Sequence, residues 1–499
     1  MHTLTFIGKC VQCFFLVSKV LMLWLTYLGI TMAGYDDFTK LPIFRDIKKT
    51  LDKGKEPVTF RYNGTIHTKQ KDIKVIKIIS IDTIRNYINN IADEIHIIIY
   101  LDTKQYLRDI YPYAANLEFT FEILELSITE YSDEKVLNRY RERFKAVVKD
   151  KENVNAIDTK ADKHSDLELG LIGPIEVRLQ LINRIIEPLR IKQTNGVFTK
   201  VTPKDFLNGL LYSESNQITV EGKPILQGID IADPVSNTEV QHNIVIPSGT
   251  SLIDIPDLAQ NQFCGVYSGA LGSYVQFYDN KYIWFIYPLY DYTRFDSTKG
   301  KKVIFYVGDK ATIRGSEKTY RIEGNTIYIV ITGNTQYYND LESGYMDSGA
   351  GIKAPHAKAF MKKPVILTKD GVVGKRNRLN HEAVVKDRSD GLNFTPRVKD
   401  GVTANPFKVY SEIASKSVAQ ITLEWNHAKY DLIYPGMPCR YTFTNNGKLT
   451  TVTGTILQTH TLISLKGNAS TSNLYTINTM INIAVDKTTT ILADTETKK

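Results

Sequence analysis

The sequence lacks the short motifs that mark the common enzyme classes. Nine histidines are scattered through the 499 residues, and no pair of them forms the H-E-x-x-H pattern of zinc hydrolases. There is no G-x-S-x-G elbow to position a serine nucleophile. The run from Gly371 to Arg376 is too short for a phosphate-binding loop and has no Ser or Thr after its lysine. We therefore predict no enzyme activity, no cofactor, and no catalytic or metal site.

Cysteine is also scarce, with four in the whole chain. Cys10 and Cys13 have the C-x-x-C spacing, but there is no second pair to complete a zinc site and no βαβ pattern around them. Cys264 and Cys439 lie in apolar or strand-like contexts typical of small buried residues. A disulfide framework and an oxidising compartment are not required by this pattern.

Only one long apolar run is present, at residues 11–30 within a hydrophobic leader of residues 1–31. Its length is close to the roughly 20 residues that span a bilayer. Lys19 lies in its middle, where a charge costs about 2.5–3.5 kcal/mol on insertion scales. The run is interpreted as an anchor, as a signal peptide, or as sequence upstream of a true start at Met32, and we favour the last.

Charge is balanced in most of the chain, with 23% charged residues and a net charge of +8. Between Gly351 and Asp400 there are 12 Lys and Arg against 5 Asp and Glu, so this window alone carries 12 − 5 = +7. We predict that residues 336–405 are a basic, irregular connector. Two interpretations remain open for it, a solvated loop region and a segment that grips an acidic neighbour.

Tyrosine and isoleucine are abundant, which favours strands and large contact surfaces. In a first module, residues 50–130, Val58, Phe60 and Tyr62 alternate and meet Asn63-Gly64, a strong hairpin-turn signal. In a second module, residues 406–485, Ile421, Leu423 and Trp425 alternate in the same way. Each is predicted to be a small antiparallel β-barrel, and residues 486–499 are predicted to be a polar tail.

Residues 131–240 are predicted to be a helical or insertion module. Pro174 is expected to start a helix whose apolar residues, from Val177 to Leu189, follow a three-to-four spacing. A second helix is predicted after Thr202, because Pro203 suits the first helical position and Asp205 the first turn.

A central α/β module is predicted for residues 241–335. Pro256 begins a short helix, and Gly265, Gly269 and Gly272 then end helical structure. Two alternating aromatic runs, residues 274–278 and 282–287, flank Asp279-Asn280 and predict a hairpin.

The order of these central pieces resembles the central segment of baseplate hub proteins of contractile-tailed bacteriophages. The pieces that carry the resemblance read Ile246-Pro247, Cys264-Gly265-Val266-Tyr267, Gly269-Ala270-Leu271-Gly272, Tyr287-Pro288-Leu289-Tyr290-Asp291 and, in the second barrel module, Tyr434-Pro435-Gly436-Met437-Pro438 followed by Thr453-Gly454-Thr455-Ile456-Leu457. The resemblance covers most of residues 58–485, although it offers no counterpart for the basic stretch 351–405.

The resemblance implies a structural virion protein of the tail baseplate, made in the host cytoplasm. Hub proteins of this kind carry two related β-barrels in each chain and form homotrimers. The six barrels make a pseudo-sixfold ring that joins the hexameric tail tube to the trimeric spike, and DNA passes through its bore. A non-enzymatic role follows from the same resemblance.

We therefore predict a mixed α+β, β-rich protein with two small antiparallel β-barrel modules around a central α/β part. Two sets of residues are candidates for its contacts. The candidate interface or core residues are Tyr274, Phe277, Tyr282, Trp284, Trp425 and Tyr441. The candidate basic residues, facing the bore or an acidic spike, are Lys362, Lys363, Lys375, Arg376 and Arg378.

Two alternatives remain open. The first is a membrane-anchored, β-rich surface protein that uses residues 11–30 as its anchor. The second is a tail-associated cell-wall hydrolase with a hidden pair of carboxylates. Glu118, Glu122 and Glu125 alternate along one predicted strand, but this is also the pattern of an ordinary outer sheet face.

Overall fold

The computed structural model describes a β-rich α+β protein. The described residues are 42–52, 58–88, 90–128, 134–149, 174–220, 222–235, 237–278, 281–307, 319–331, 418–445, 448–466 and 475–486, with short stretches between 333 and 414. The predicted leader, most of the basic connector and the predicted tail beyond Asp486 lie outside these residues. So do the five basic candidates, Lys362, Lys363, Lys375, Arg376 and Arg378.

Seven strands that pair antiparallel in the order β3-β4-β7-β6-β5-β1-β2 form what we call the N-terminal β module. Helix α1 precedes it, and helix α2 with a π turn and a 3₁₀ turn connects β4 to β5. The elements are α1 (Pro42–Asp52), β1 (Val58–His67), β2 (Asp72–Lys74), β3 (Lys77–Asn86), β4 (Glu94–Asp102), α2 (Thr103–Gln105), the π turn Tyr106–Ile110, the 3₁₀ turn Tyr111–Asn116, β5 (Leu117–Ile128), β6 (Glu134–Val148) and β7 (Pro174–Asn183).

The hairpin turn predicted at Asn63-Gly64 is wrong, because both residues lie inside β1. A Cβ added to Gly64 would lie 2.6 Å from Cζ of Phe119, so the glycine here allows a close approach of a buried ring. Asn63 donates from Nδ2 to Glu122 on the neighbouring strand at 2.9 Å.

The helix predicted to start at Pro174 is also wrong. Residues 174–183 form β7, where Val177, Leu179 and Leu181 alternate inward and β7 pairs with β4 and β6. The same residues fit a spacing of three to four and a spacing of two, and the pairing of two neighbouring strands decides in favour of the strand. Strands β6 and β7 therefore both belong to the N-terminal sheet.

The central α/β part follows. The helix predicted after Thr202 is confirmed as α4, and Thr202 caps it by accepting from the backbone N–H of Asp205 at 3.1 Å. The predicted aromatic hairpin is confirmed as well, as the antiparallel pair β13–β14, with Tyr278 opposite Lys281. The elements are α3 (Ile186–Ile191), β8 (Gln193–Val201), α4 (Pro203–Asn216), β9 (Thr219–Val220), β10 (Lys223–Pro224), β11 (Gly228–Ile231), β12 (Gln241–Ser251), the 3₁₀ turn Leu252–Asp254, α5 (Ile255–Asn261), β13 (Leu271–Tyr278), β14 (Lys281–Pro288) and α6 (Arg294–Ser297).

The C-terminal β module contains strands β15–β18 and β23–β26. Their order is β16-β17-β15-β24-β25-β26-β23-β18, with β15 parallel to both of its neighbours and every other pair antiparallel. The elements are β15 (Lys302–Val307), β16 (Tyr320–Glu323), β17 (Thr326–Ile331), β18 (Thr335–Tyr338), the two-residue strands β19 (Ile366–Leu367), β20 (Glu382–Ala383), β21 (Val385–Lys386) and β22 (Asn393–Phe394), then β23 (Val418–Asn426), β24 (Pro438–Asn445), β25 (Lys448–Leu465) and β26 (Tyr475–Asp486).

Strand β25 joins the two β modules. Its first half pairs with β24 as far as Thr455, and from Gln458 the same edge pairs with β3 of the N-terminal module. Its other edge stays paired with β26, where the register shifts between Ile456 and Gln458. A bulge of this kind re-aims a strand. One strand therefore belongs to both modules and makes their sheets continuous.

One hydrophobic core runs through both β modules, with Phe121 and Ile97 on one side and Trp425 and Ile481 on the other. Among the described strands, pairing does not close either module into a barrel. No helix in the described part of the chain has the length and apolar character needed to span a membrane.

Candidate functional site at the junction of three modules

The central hairpin lies against both β modules, and Tyr287 at the end of β14 is the centre of the contact with the C-terminal one. A Cβ added to Gly272 would lie 2.5 Å from Cζ of Tyr287, and one added to Gly436 would lie 2.7 Å from the same ring. Gly436 also has φ of +87°, which L side chains rarely adopt. Both positions require glycine because the tyrosine ring fills the space between them.

Polar contacts extend the same junction along the residues after the hairpin. Arg294 donates from Nη1 to the carbonyl oxygen of Gly436 at 3.2 Å. The hydroxyl of Thr455 donates to the carbonyl oxygen of Asp291 at 2.9 Å. Arg440 donates from Nη2 to both carboxylate oxygens of Asp296, at 2.7 and 2.9 Å. The hairpin packs against the C-terminal module through the ring of Tyr287, and the residues that follow the hairpin add hydrogen bonds to that module.

The hairpin meets the N-terminal module on its other side. Tyr87, which follows β3, stacks on Tyr274 with ring centroids 4.0 Å apart. The hydroxyl of Tyr87 donates to Asp93 and lies 3.3 Å from Oε1 of Gln276. The backbone N–H of Val275 donates to the carbonyl oxygen of Ile91 at 2.8 Å, so backbone and side chains act together here.

A buried ion pair lies beside this stack. Arg85 is 1% exposed and donates from Nε to Oδ2 of Asp93 at 3.0 Å. A buried charge needs a partner to offset its desolvation. Asp93 serves as that partner, and it also accepts from Tyr87.

Glu142 of β6 is the second buried carboxyl group of the junction. Tyr140 donates to its Oε2, and the hydroxyl of Tyr282 from the hairpin lies 3.4 Å from its Oε1. Burial raises the pKa of Glu142 to about 8, an effect that the hydrogen bond from Tyr140 opposes only in part. The group is therefore mostly protonated at neutral pH and bridges two modules as a neutral acid.

The six aromatic candidates are placed as follows. Tyr274, Trp284, Trp425 and Tyr441 are buried, and Phe277 and Tyr282 are half-buried. The two indole groups donate to hydroxyls, Trp284 to Ser273 at 2.8 Å and Trp425 to Thr319 at 2.7 Å. Tyr274, Phe277 and Tyr282 lie at the junction. A role for any of the six in contacts between subunits stays a prediction.

Sequence reasoning missed Arg85, Tyr87, Asp93 and Glu142. The sequence did contain a signal for Arg85 and Tyr87. From Ile81 onward every second residue of β3 points inward, and Arg85 and Tyr87 follow Ile81 and Thr83 at this spacing of two. A charged residue, Arg85, at an inward position near the end of β3 indicates that polar groups are buried there.

The three acids of β5 do not form a carboxylate pair. Glu118 is ion-paired with Arg143, and Glu122 with Arg139 at 3.3 Å. The pairing of β5 with β6 shifts register directly after Glu125, and the side chain of Glu125 is buried. Its carboxylate accepts hydrogen bonds from Lys429 at 2.8 Å and from Tyr320 at 3.1 Å. Each acid therefore has a basic partner. Among the described residues no group of three or more His, Cys, Asp or Glu side chains is placed to hold a metal ion.

Comparison with known proteins gives structural matches only. No family model and no curated protein matches the sequence. The tail protein from Neisseria meningitidis MC58 aligns over 85% of this chain and 96% of its own, with 9% identity and a TM-score of 0.39. The 43 kDa tail protein of prophage MuSo2 from Shewanella oneidensis aligns over 85% and 98%, with 9% identity and a TM-score of 0.42.

A third match is the E. coli c3393 protein, a component of the type VI secretion system, over 83% of this chain and 76% of its own, with 9% identity and a TM-score of 0.37. Its structure is described as similar to the T4 bacteriophage tail proteins gp27 and gp5. Two of these three structures are named as tail proteins.

Proposed function

We propose that the chain is a structural, non-enzymatic protein of a bacteriophage tail, and specifically a baseplate hub that joins the tail tube to the central spike. The observation that supports this most directly is strand β25, which pairs with β24 and then with β3 and so builds both β modules into one sheet. Two modules that share a strand form one continuous unit. Such a unit suits a closed ring of subunits.

The convergence of the sequence motifs supports the same proposal. Gly272, Tyr287 and Gly436 come from three of the separate pieces on which the resemblance rests. They meet around one tyrosine ring in the fold. Gly272 and Tyr287 lie opposite each other in the hairpin, so the informative contact is the one that Tyr287 makes with Gly436 of the C-terminal module. Chance likeness between short pieces would not predict that contact.

The symmetry that we propose for the assembly rests on the presence of two β modules in each chain. In a homotrimer, three chains with two β-barrel-like modules each would present six similar units to a hexameric tube and three identical faces to a trimeric spike. Closed complexes of identical chains are the common form of soluble assemblies. The bore of such a ring would let DNA pass, and the virion baseplate is the proposed location.

The proposal is tested by the mass of the chain expressed from Met32, measured by light scattering after size exclusion. We expect a trimer, and negative-stain images of rings with six lobes. A monomer that stays monomeric with purified tube and spike proteins would contradict the hub. A full-length chain that keeps residues 11–30 and fractionates with membranes would favour the anchored surface protein instead.

A further inference from the structure

An irregular segment of the C-terminal β module lies buried against the N-terminal one. It runs from His427 to Met437 and connects β23 to β24. Loops normally lie on the surface, because buried backbone carbonyls need hydrogen-bond partners. Side chains of this segment are nevertheless at most 5% exposed at five positions: Ala428, Tyr430, Leu432, Ile433 and Tyr434.

Arg85 of β3 supplies hydrogen-bond donors to this segment. Its Nη1 donates to the carbonyl oxygen of Tyr430 at 3.1 Å and to that of Ile433 at 3.4 Å. The guanidinium also lies over the ring of Tyr434, 4.4 Å from its centroid. Because Asp93 neutralises the charge, one buried arginine can hold the backbone of the segment against the N-terminal module.

Side chains of the segment reach further into the N-terminal module. The ring of Tyr430 meets Phe121 and Tyr140 edge-on, with centroids 5.8 and 5.7 Å apart, and its hydroxyl lies 3.2 Å from Oγ1 of Thr83. Lys429 adds an ion pair with Glu125 at 2.8 Å. The segment is therefore docked by contacts from β3, β5 and β6 together.

The two ends of the segment have left-handed backbone conformations. Gly436 adopts φ of +87° without strain, whereas His427 has φ of +56°, which is costly for a residue with a Cβ. A strained residue of this kind persists only when its surroundings hold it in place. The contacts that dock the segment therefore have to offset the backbone strain at its first residue, His427.

We propose that segment 427–437 is a conformational latch that fixes the angle between the two β modules, with Arg85 as its positioning residue. In the docked state, the modules are held by the latch as well as by the β3–β25 pairing and the central hairpin. When the latch undocks, the strain at His427 is released and the modules can change their relative angle. The proposal concerns a single chain and does not depend on the hub function.

Hydrogen exchange followed by mass spectrometry tests the latch with two variants of opposite expected sign. Arg85→Gln removes the guanidinium from the two carbonyls, and we expect exchange in peptides covering 427–437 to be at least tenfold faster. His427→Gly removes the backbone strain, and we expect exchange in the same peptides to be slower. Peptides from β5 and β25 should keep their wild-type rates in both variants. Arg178→Gln, at an exposed arginine of β7, is the matched control and should change nothing.

A distance measurement separates a latch from a merely stabilising contact. Spin labels at Lys74→Cys and Asn478→Cys, exposed positions in the two modules, would be introduced in a chain from Met32 that carries Cys264→Ser. We expect a narrow distance distribution in the otherwise unchanged chain and in His427→Gly, and a broad one in Arg85→Gln.

Two results would overturn the proposal. One is a uniform rise in exchange over all strands of Arg85→Gln with a distance distribution that stays narrow. The other is unchanged or faster exchange of segment 427–437 in His427→Gly, and this variant decides alone should Arg85→Gln fail to fold.

Discussion

The ring of Tyr87 lies parallel to that of Tyr274, with centroids 4.0 Å apart and an angle of 11° between the planes. Tyr87 belongs to the N-terminal β module and Tyr274 to the central hairpin, and both are buried. Stacked aromatic pairs contribute about 0.5–1.5 kcal/mol beyond the area that they bury. This pair is therefore a direct energetic link between two parts of the fold that are 187 residues apart (274 − 87) in sequence.

A double-mutant cycle on this pair should show coupling. We expect Tyr274→Ala to lower the free energy of unfolding by about 3–5 kcal/mol, as for other buried aromatic side chains. The cycle with Tyr87→Ala, measured by urea unfolding, should give a coupling energy of about 1 kcal/mol. Tyr212→Ala on the exposed face of α4, where the side chain is 62% exposed, is the control and should change stability by less than about 0.5 kcal/mol. Coupling near zero would show that the rings stack without stabilising the junction.

Protonation of Glu142 should make the stability of the protein depend on pH. Its pKa is raised from 4.5 to about 8 in the folded chain, so the folded state keeps a proton that the unfolded state releases. Stability should therefore fall as pH rises from about 4.5 to about 8 and level off above that. Glu142→Gln removes this dependence. We expect it to match the wild type near pH 4 and to be more stable at pH 8.5, by at most about 5 kcal/mol.

The measurement is the unfolding midpoint across this pH range for both proteins. Glu187→Gln is a suitable control, because that carboxylate is 60% exposed and its partner in the described part of the chain is Lys145. A constant difference between Glu142→Gln and the wild type at all pH values would show that the Glu142 carboxyl group does not titrate as described.

The sequence predicted those elements whose signals are local. The cap at Thr202, the alternation of Ile421, Leu423 and Trp425, and the aromatic hairpin all depend on residues within one element, and the structure confirms them. The helix predicted after Pro174 failed because its apolar residues fit two periods, and only pairing with β4 and β6 decides between them. Local pattern could not contain that information.

The junction was only partly predictable for the same reason. Gly272, Tyr287 and Gly436 were each visible as motif residues, but their common contact requires the tertiary fold. Asn63-Gly64 shows the reverse error, since a typical turn pair is used within a strand to make room for Phe119. Glycine in a sequence marks either a turn or a close approach, and distant residues determine which.

Charge reversal in the basic connector should affect the binding of an acidic spike but not the assembly of the trimer. Changing Lys362, Lys363, Lys375, Arg376 and Arg378 to Glu should leave the trimer intact, because the proposed ring is built from the two β modules. It should weaken binding to an acidic spike or abolish infectivity, since surface charges steer and orient acidic partners. Gel filtration and a phage complementation assay measure the two effects. A fully infectious variant would count against both proposed roles of these residues.

Glycine at 436 should be required by the ring of Tyr287. In Gly436→Ala the new Cβ would meet the ring at about 2.7 Å, and the backbone would keep a φ of +87° that alanine disfavours. Strain from overpacking and from the backbone together should cost about 2–4 kcal/mol in chemical denaturation. Tyr287→Leu should restore part of this loss in the double variant, because the smaller side chain removes the clash but not the backbone cost.

Gly209→Ala is the matched control, because a Cβ there meets nothing within 4 Å and alanine favours the α4 helix. This variant should be more stable than the wild type by about 1 kcal/mol. Equal effects of the two glycine substitutions would mean that Tyr287 does not occupy the space beside Gly436, and the contact on which the motif convergence rests would be lost.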